Sequence, residues 1–235
     1  MKILIFILFF LQACGHEQNF LNANLTDSPP NQTTPPPSLS EAAPCQGFIE
    51  DVVRFQPGAG AGFGQSRMPD LVLGPPRGGS ETLGGLDVLA LGSGGHIIVD
   101  TFPCEIADEE GVDFIVFENA FYIGGDPENP FAELARVSVS EDGENFVSFP
   151  CEDEAFPFTG CAGWRPVLSH PSNGISPFDV EAAGGDPFDL TEIGVAQARY
   201  IRIDDLASGG GFPPSVGFDL DAIAVMNGNQ QGGTL

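Results

Sequence analysis

Asp113-Phe114-Ile115-Val116-Phe117 is a continuous apolar run opened by a single acid, and it suits a central strand. Val137-Ser138-Val139-Ser140 and Tyr200-Ile201-Arg202-Ile203 alternate instead, as half-buried strands do. Outward from these, short β-type runs recur between Gly, Pro and Asp punctuation at 48–55, 70–73, 87–91, 96–102, 112–118, 133–140, 146–150, 199–204 and 218–226. Only 189–196 suggests a helix, of about two turns. With 31 Gly, 21 Pro and 20 Phe, the chain favours many turns around a bulky core. Short strands and long Gly/Pro loops in one domain predict an all-β fold, an antiparallel two-sheet sandwich or jelly roll. The loop 160–186 is longer than structureless connections usually are, and such loops carry function or packing of their own.

The N-terminus, Met1 to Cys14, reads MKILIFILFFLQAC. One Lys, a short apolar run and a small residue before a cysteine make a secretory signal. The run is too short for a bilayer span, which takes about 20 apolar residues. Its end resembles the bacterial lipobox, with Cys14 as the lipidated first residue of the mature protein; a plain cleaved signal with an incidental cysteine is the other reading. Gly15 after the cysteine fits release to an outer membrane. Residues 15–44 are rich in Pro, Asn, Ser and Thr and bury too little to offset ordering entropy, so a disordered tether is expected. The domain is expected over 45–227, with 228–235 a flexible tail.

Lipidation of Cys14 leaves Cys45, Cys104, Cys151 and Cys161, an even set in an oxidising compartment. Of three connectivities we favour Cys151–Cys161, closing a short loop, with Cys45 pinning the start of the domain to Cys104. Metal binding by these cysteines is the alternative, but their spacing fits no zinc pattern. The formal charge is −25, and Lys2 is the only lysine. The mature chain thus sets seven Arg against 33 acids, or −26. No basic patch is available to displace counterions, which disfavours nucleic acid. Membrane contact must come through the Cys14 lipid. Such acid-rich exported domains either stay soluble by repulsion or collect divalent cations.

Leu71-Val72-Leu73-Gly74-Pro75-Pro76, 91–99 (LGSGGHIIV), 113–119 (DFIVFEN), 137–143 (VSVSEDG) and 217–223 (GFDLDAI) follow in an order that resembles galactose-binding-like jelly rolls. Together they look like bacterial cell-surface domains related to discoidin modules, over about residues 45–227. That resemblance implies non-catalytic binding of glycans or surfaces, often with a structural calcium. No cysteine follows Cys161, so the end-to-end disulfide common in discoidin modules is missing here.

Calcium takes six to eight oxygens from several loops, and the candidates are Asp113, Glu118, Asn119, Asp204, Asp205, Asp219 and Asp221. Asp219 and Asp221 sit two apart, facing one side of a strand, where two carboxylates repel unless bridged. The competing reading is that these are solvated strand-end and turn acids. No DxDxDG loop exists.

Gly124-Gly125-Asp126-Pro127 echoes Gly184-Gly185-Asp186-Pro187. Gly allows positive φ, Asp bonds back to the backbone and Pro fixes the next φ, so each builds a tight turn; a paired ligand site using Asp126 is the sharper alternative. Trp164, the sole tryptophan, lies in the long loop beside Arg165 and near His170. Stacking plus directed hydrogen bonds is how many sugar-binding loops work, and Tyr122 from another loop could join the rim. Alternatively Trp164 plugs the sandwich end over the Cys151–Cys161 bridge. Gly58–Gly64 lacks the register and helix of a phosphate loop and reads as a flexible loop. No catalytic motif is present, and 33 acids make a two-carboxylate glycosidase uninformative. The expected function is non-catalytic recognition of glycan or envelope polymer, ahead of assembly with envelope proteins through a Phe-rich surface, and then of glycoside hydrolysis. Nothing in the sequence sets the oligomeric state.

Overall fold

In the computed structural model, residues 43–207 and 210–231 are described. They form an all-β sandwich in which every strand pairing is antiparallel. One sheet is ordered Val147–Ser148, Ala135–Ser140, Tyr200–Asp205, His96–Asp100, Asp51–Gln56. The other centres on Ala222–Gln230, which pairs with Phe114–Phe117, Cys104–Ala107 and Ala43–Phe48; Asp186–Phe188 and Gln197–Ala198 lie at its margins.

Alternation assigns the faces. Phe114, Val116, Ile223 and Val225 point into the core between the sheets, meeting Ile97, Val99, Val137, Val139, Ile201 and Ile203. Ile115, Phe117, Ala222, Ala224 and Met226 point the other way, under Val167, Phe178 and Ala183 of the long loop. The strand Phe114–Phe117 is therefore buried on both faces, which explains its unbroken apolar run. The loop 160–186 is a cover for the second face, held by backbone bonds such as Leu168 N–H to the Ala183 carbonyl at 2.8 Å.

Cys45–Cys104 and Cys151–Cys161 are both formed. The first ties the edge strand Ala43–Phe48 to Cys104–Ala107; the second closes a short loop beside Phe149, in the core.

Several expectations need correction. The run 48–55 is two strands, because Ile49 turns inward and is buried where the chain crosses from one sheet to the other. Residues 70–73 form no strand: Leu71 N–H bonds the Arg67 carbonyl and Val72 N–H the Pro69 carbonyl, curling the segment while both side chains remain buried. The helix at 189–196 is one 3₁₀ turn, Leu190–Ile193, capped by the Asp189 carboxylate and stopped at Gly194, whose φ is 66°. Gly58–Gly64 is packed, not loose; a Cβ on Gly58 would stand 2.4 Å from the Ser93 carbonyl oxygen. The last strand runs to Gln230, past the expected boundary at 227, because Gly228–Gln230 pair with Cys104–Ile106. The Cys14 lipidation site and residues 15–42 of the expected tether lie outside the described residues; its last two, Ala43 and Pro44, belong instead to the first strand, paired with Gln230 and Asn229. Among the described residues no helix is long and apolar enough to cross a membrane.

Candidate functional site

Two places gather the chemistry: an aromatic cleft beside the long loop, and a buried set of acids at one end of the sandwich. The cleft holds about 360 Å³ and is lined by Tyr122, Trp164, Arg165, Glu81, Glu181 and Leu168, among others. Tyr122 belongs to the short strand Phe121–Tyr122 and Trp164 to the long loop, so residues 42 positions apart in sequence meet here. Pro127 of the first Gly-Gly-Asp-Pro turn and Gly184 of the second also line it. In both turns the two glycines adopt positive φ, between 67° and 76°, as turn-building requires.

Trp164 is half-buried. Its ring packs edge-on against Phe156 at 5.6 Å, a residue of the segment enclosed by Cys151–Cys161, and the Arg165 guanidinium lies 4.9 Å from its centroid. The disulfide loop thus props the indole from one side while another part of it faces the cleft. A second cleft, of about 250 Å³, shares Trp164 and Arg165 and adds Asp186, Pro187 and Glu192. Asp186 Oδ2 accepts the backbone N–H groups of Gly163 and Trp164, at 2.7 and 3.4 Å, so this carboxyl positions the Trp164 backbone. Burial pushes its pKa up to about 7, against those hydrogen bonds and the Arg165 charge, and its Oδ1 has no partner.

His170 and Asp126 do not reach the cleft lining. The His170 ring is engaged by Ser172, whose N–H and hydroxyl both meet Nδ1. Asp126 is exposed and accepts the Glu128 N–H inside its own turn. Neither has the pocket-facing position proposed for it.

The seven expected cation ligands separate into four settings. Glu118, Asn119 and Asp219 come together, and Asp205 lies close enough for its charge to raise the pKa of Asp219. Asp205 itself is saturated: Oδ1 accepts Phe218 N–H, and Oδ2 accepts Gly94 and Ala207 N–H. Asp204, the next residue on an alternating strand, faces the opposite way and pairs with Arg202 at 2.6 Å. Asp221 is turned away from Asp219 to accept the Arg77 N–H with both oxygens, at 3.1 and 2.8 Å. Burial raises its pKa to about 7. Asp113 sits apart with Asp108 and Asp189, their oxygens within 4.8 Å of one another. Asp113 is nonetheless taken up by Leu190 and Glu109 N–H and by Asn227.

Glu133, which the sequence reading passed over as the start of a strand, joins the Glu118 set. Glu118, Glu133 and Asp219 are all nearly fully buried. Each has one carboxylate oxygen without a hydrogen-bond partner, as does the Asn119 carbonyl. Burial, then the Asp219 charge, holds Glu118 well above the ordinary carboxylate range; the same causes lift Glu133 to about 8. The one sequence signal for Glu133 is an acid inside the apolar stretch Phe131-Ala132-Glu133-Leu134-Ala135.

No protein-family model matches the chain, and no curated protein matches its sequence.

Proposed function

We propose that this chain is a non-catalytic binding module displayed at the cell envelope, with the Tyr122–Trp164–Arg165 cleft taking a segment of glycan or envelope polymer. The observation that carries the reading is that Tyr122, from the short strand Phe121–Tyr122, meets the adjacent pair Trp164 and Arg165 of the long loop in one cleft, which the exposed acids Glu81 and Glu181 also line. An indole and a phenol offer apolar plates to sugar C–H faces, while Arg and Glu supply donors and acceptors for hydroxyls. The cleft volume matches one or two sugar rings, a small contact suited to a repeating polymer that gains strength by multivalency. Two disulfides fit an oxidising compartment, which agrees with export and anchoring through Cys14 at an outer membrane. The resemblance to galactose-binding-like surface domains supports the same class.

The assembly reading needs a phenylalanine-rich surface. Among the described residues the exposed phenylalanines are Phe102, Phe156 and Phe212, in three separate segments, so the aromatic cleft is the better-supported contact.

Affinity electrophoresis of the purified chain through gels cast with individual polysaccharides tests the reading. Retardation by at least one polymer, lost in Trp164→Ala and Tyr122→Ala at unchanged melting temperature, is the expected result. Free migration in every polymer would sink it, and reducing ends released over time would replace it with hydrolysis.

A further inference from the structure

We infer that Glu118, Asn119, Glu133 and Asp219 form a site for one hard divalent cation, calcium by its donor set, clamping the two sheets at one end of the sandwich. Glu118 and Asn119 follow the strand Phe114–Phe117 of one sheet, and Glu133 precedes Ala135–Ser140 of the other. Asp219 begins the short strand Asp219–Leu220, laid across Leu89–Ala90.

Three nearly fully buried carboxyls and one amide present four oxygens with no hydrogen-bond partner: Glu118 Oε2, Glu133 Oε1, Asp219 Oδ1 and Asn119 Oδ1. Native proteins leave few buried polar atoms unpaired, and an unpaired group of this kind points to an ion or water. No arginine answers the charge: the ion pairs among the described residues are Arg67 and Arg77 with Asp87, Arg199 with Asp100, and Arg202 with Asp204. Nearby Asp205 adds negative charge of its own.

The Asp108–Asp113–Asp189 group is the informative contrast. Its carboxylates are gathered together, yet the chain's own donors satisfy the buried Asp113 through both oxygens. There the acids do structural work; in the Glu118 set the chain's donors reach one oxygen, as Asp219 N–H does at Glu118 Oε1 and the Ser215 hydroxyl at Asp219 Oδ2, and leave the other bare. Every unpartnered atom is a hard oxygen, which selects a cation of the calcium or magnesium type over zinc or copper. Contributions from separate loops suit the flexible six-to-eight coordination of calcium better than the rigid octahedron of magnesium. The surrounding backbone presses close: a Cβ on Gly84 would stand 2.3 Å from Asn119 Oδ1, and one on Gly211 would stand 3.3 Å from Glu133 Oε1.

This site is separate from the aromatic cleft and stands or falls independently of glycan binding. Calcium chloride is titrated calorimetrically into the chelator-treated full chain, with melting followed in parallel. The expected result is one calcium per chain and a rise in Tm of about 5–10 °C at a hundredfold excess over Kd, with magnesium weaker. Glu133→Gln and Asp219→Asn each weaken calcium at least tenfold, whereas Asp113→Asn leaves its affinity unchanged. Should the charge variants fail to fold, Asn119→Ala, which keeps all three acids, must still weaken binding. Absence of calcium heat and of a Tm shift in the unaltered chain overturns the inference, leaving the acids to share protons. Undiminished binding in the folded variants overturns it equally, because the cation then sits elsewhere.

Discussion

Replacing Asp186 by Asn should make the protein relatively more stable as the pH rises. Asp186 is almost fully buried, with Oδ2 holding the Gly163 and Trp164 N–H groups and Oδ1 unpartnered. Its pKa of about 7 in the folded chain compares with 3.8 for the ordinary group. A carboxyl whose folded pKa is raised favours the folded state while protonated. That advantage is intact below pH 4 and is lost as the pH climbs from 4 through 7, since the unfolded chain gives up its proton first. Between pH 5 and pH 8 the shift spans about two pH units at 1.36 kcal/mol each, or about 3 kcal/mol lost to this one group. The amide of Asp186→Asn keeps an acceptor for Gly163 N–H and has no charge to bury. The stability difference between variant and parent should therefore move by about 3 kcal/mol in favour of the variant from pH 5 to pH 8. Urea denaturation followed by circular dichroism at both pH values, with disulfides intact and chelator present, measures it. A difference that moves by less than about 1 kcal/mol would mean that solvent reaches the carboxylate and that burial does not govern this group.

Phe117→Ala removes a fully buried ring pinned between the sheet and the long loop; it should cost about 3–5 kcal/mol by chemical denaturation. The highly exposed Phe212→Ala should stay within about 0.5 kcal/mol. Opening Cys45–Cys104, whose partners are 59 residues apart, should cost about 4 kcal/mol by loop entropy. Opening Cys151–Cys161, ten residues apart, should cost about 3 kcal/mol and also release the Phe156 prop behind Trp164. Paired Cys→Ala melts against the parent separate the two bridges. Arg165→Ala should weaken polymer retention while Asp126→Ala leaves it unchanged, since only the first lines the cleft; mobility in the affinity gel distinguishes them.

Much of the sandwich was legible because strand periodicity is local. Val137–Ser140 and Tyr200–Ile203 declared which side chains face the core, and they pair in the expected antiparallel way. Phe114–Phe117 declared a central strand, although not that its second face would be buried under the long loop. Where the reading failed, long-range contacts overrode the pattern: Ile49 breaks one apolar run to cross between sheets, and Leu71 and Val72 are buried from a turn. The acids show the same division. Sequence brought Glu118, Asn119 and Asp219 into one candidate set. It also admitted Asp113, Asp204 and Asp221, whose partners are an interior backbone N–H, an arginine two residues away and the Arg77 N–H. It omitted Glu133, because one acid near a strand end resembles any other until its neighbours are known.

By itself the sequence determined the all-β class, the approximate strands, an even set of cysteines and an acidity that disfavours nucleic acid. These follow from composition and from period-two patterning, which each segment carries without reference to the rest. The tertiary structure alone decided that the 160–186 loop is a cover, that Tyr122 meets Trp164, and that Glu133 is enclosed with Glu118 and Asp219. Those are meetings of segments far apart in the chain. Whether a carboxyl is solvated, hydrogen-bonded or left with a bare oxygen depends on the distance and burial that only the closed fold supplies.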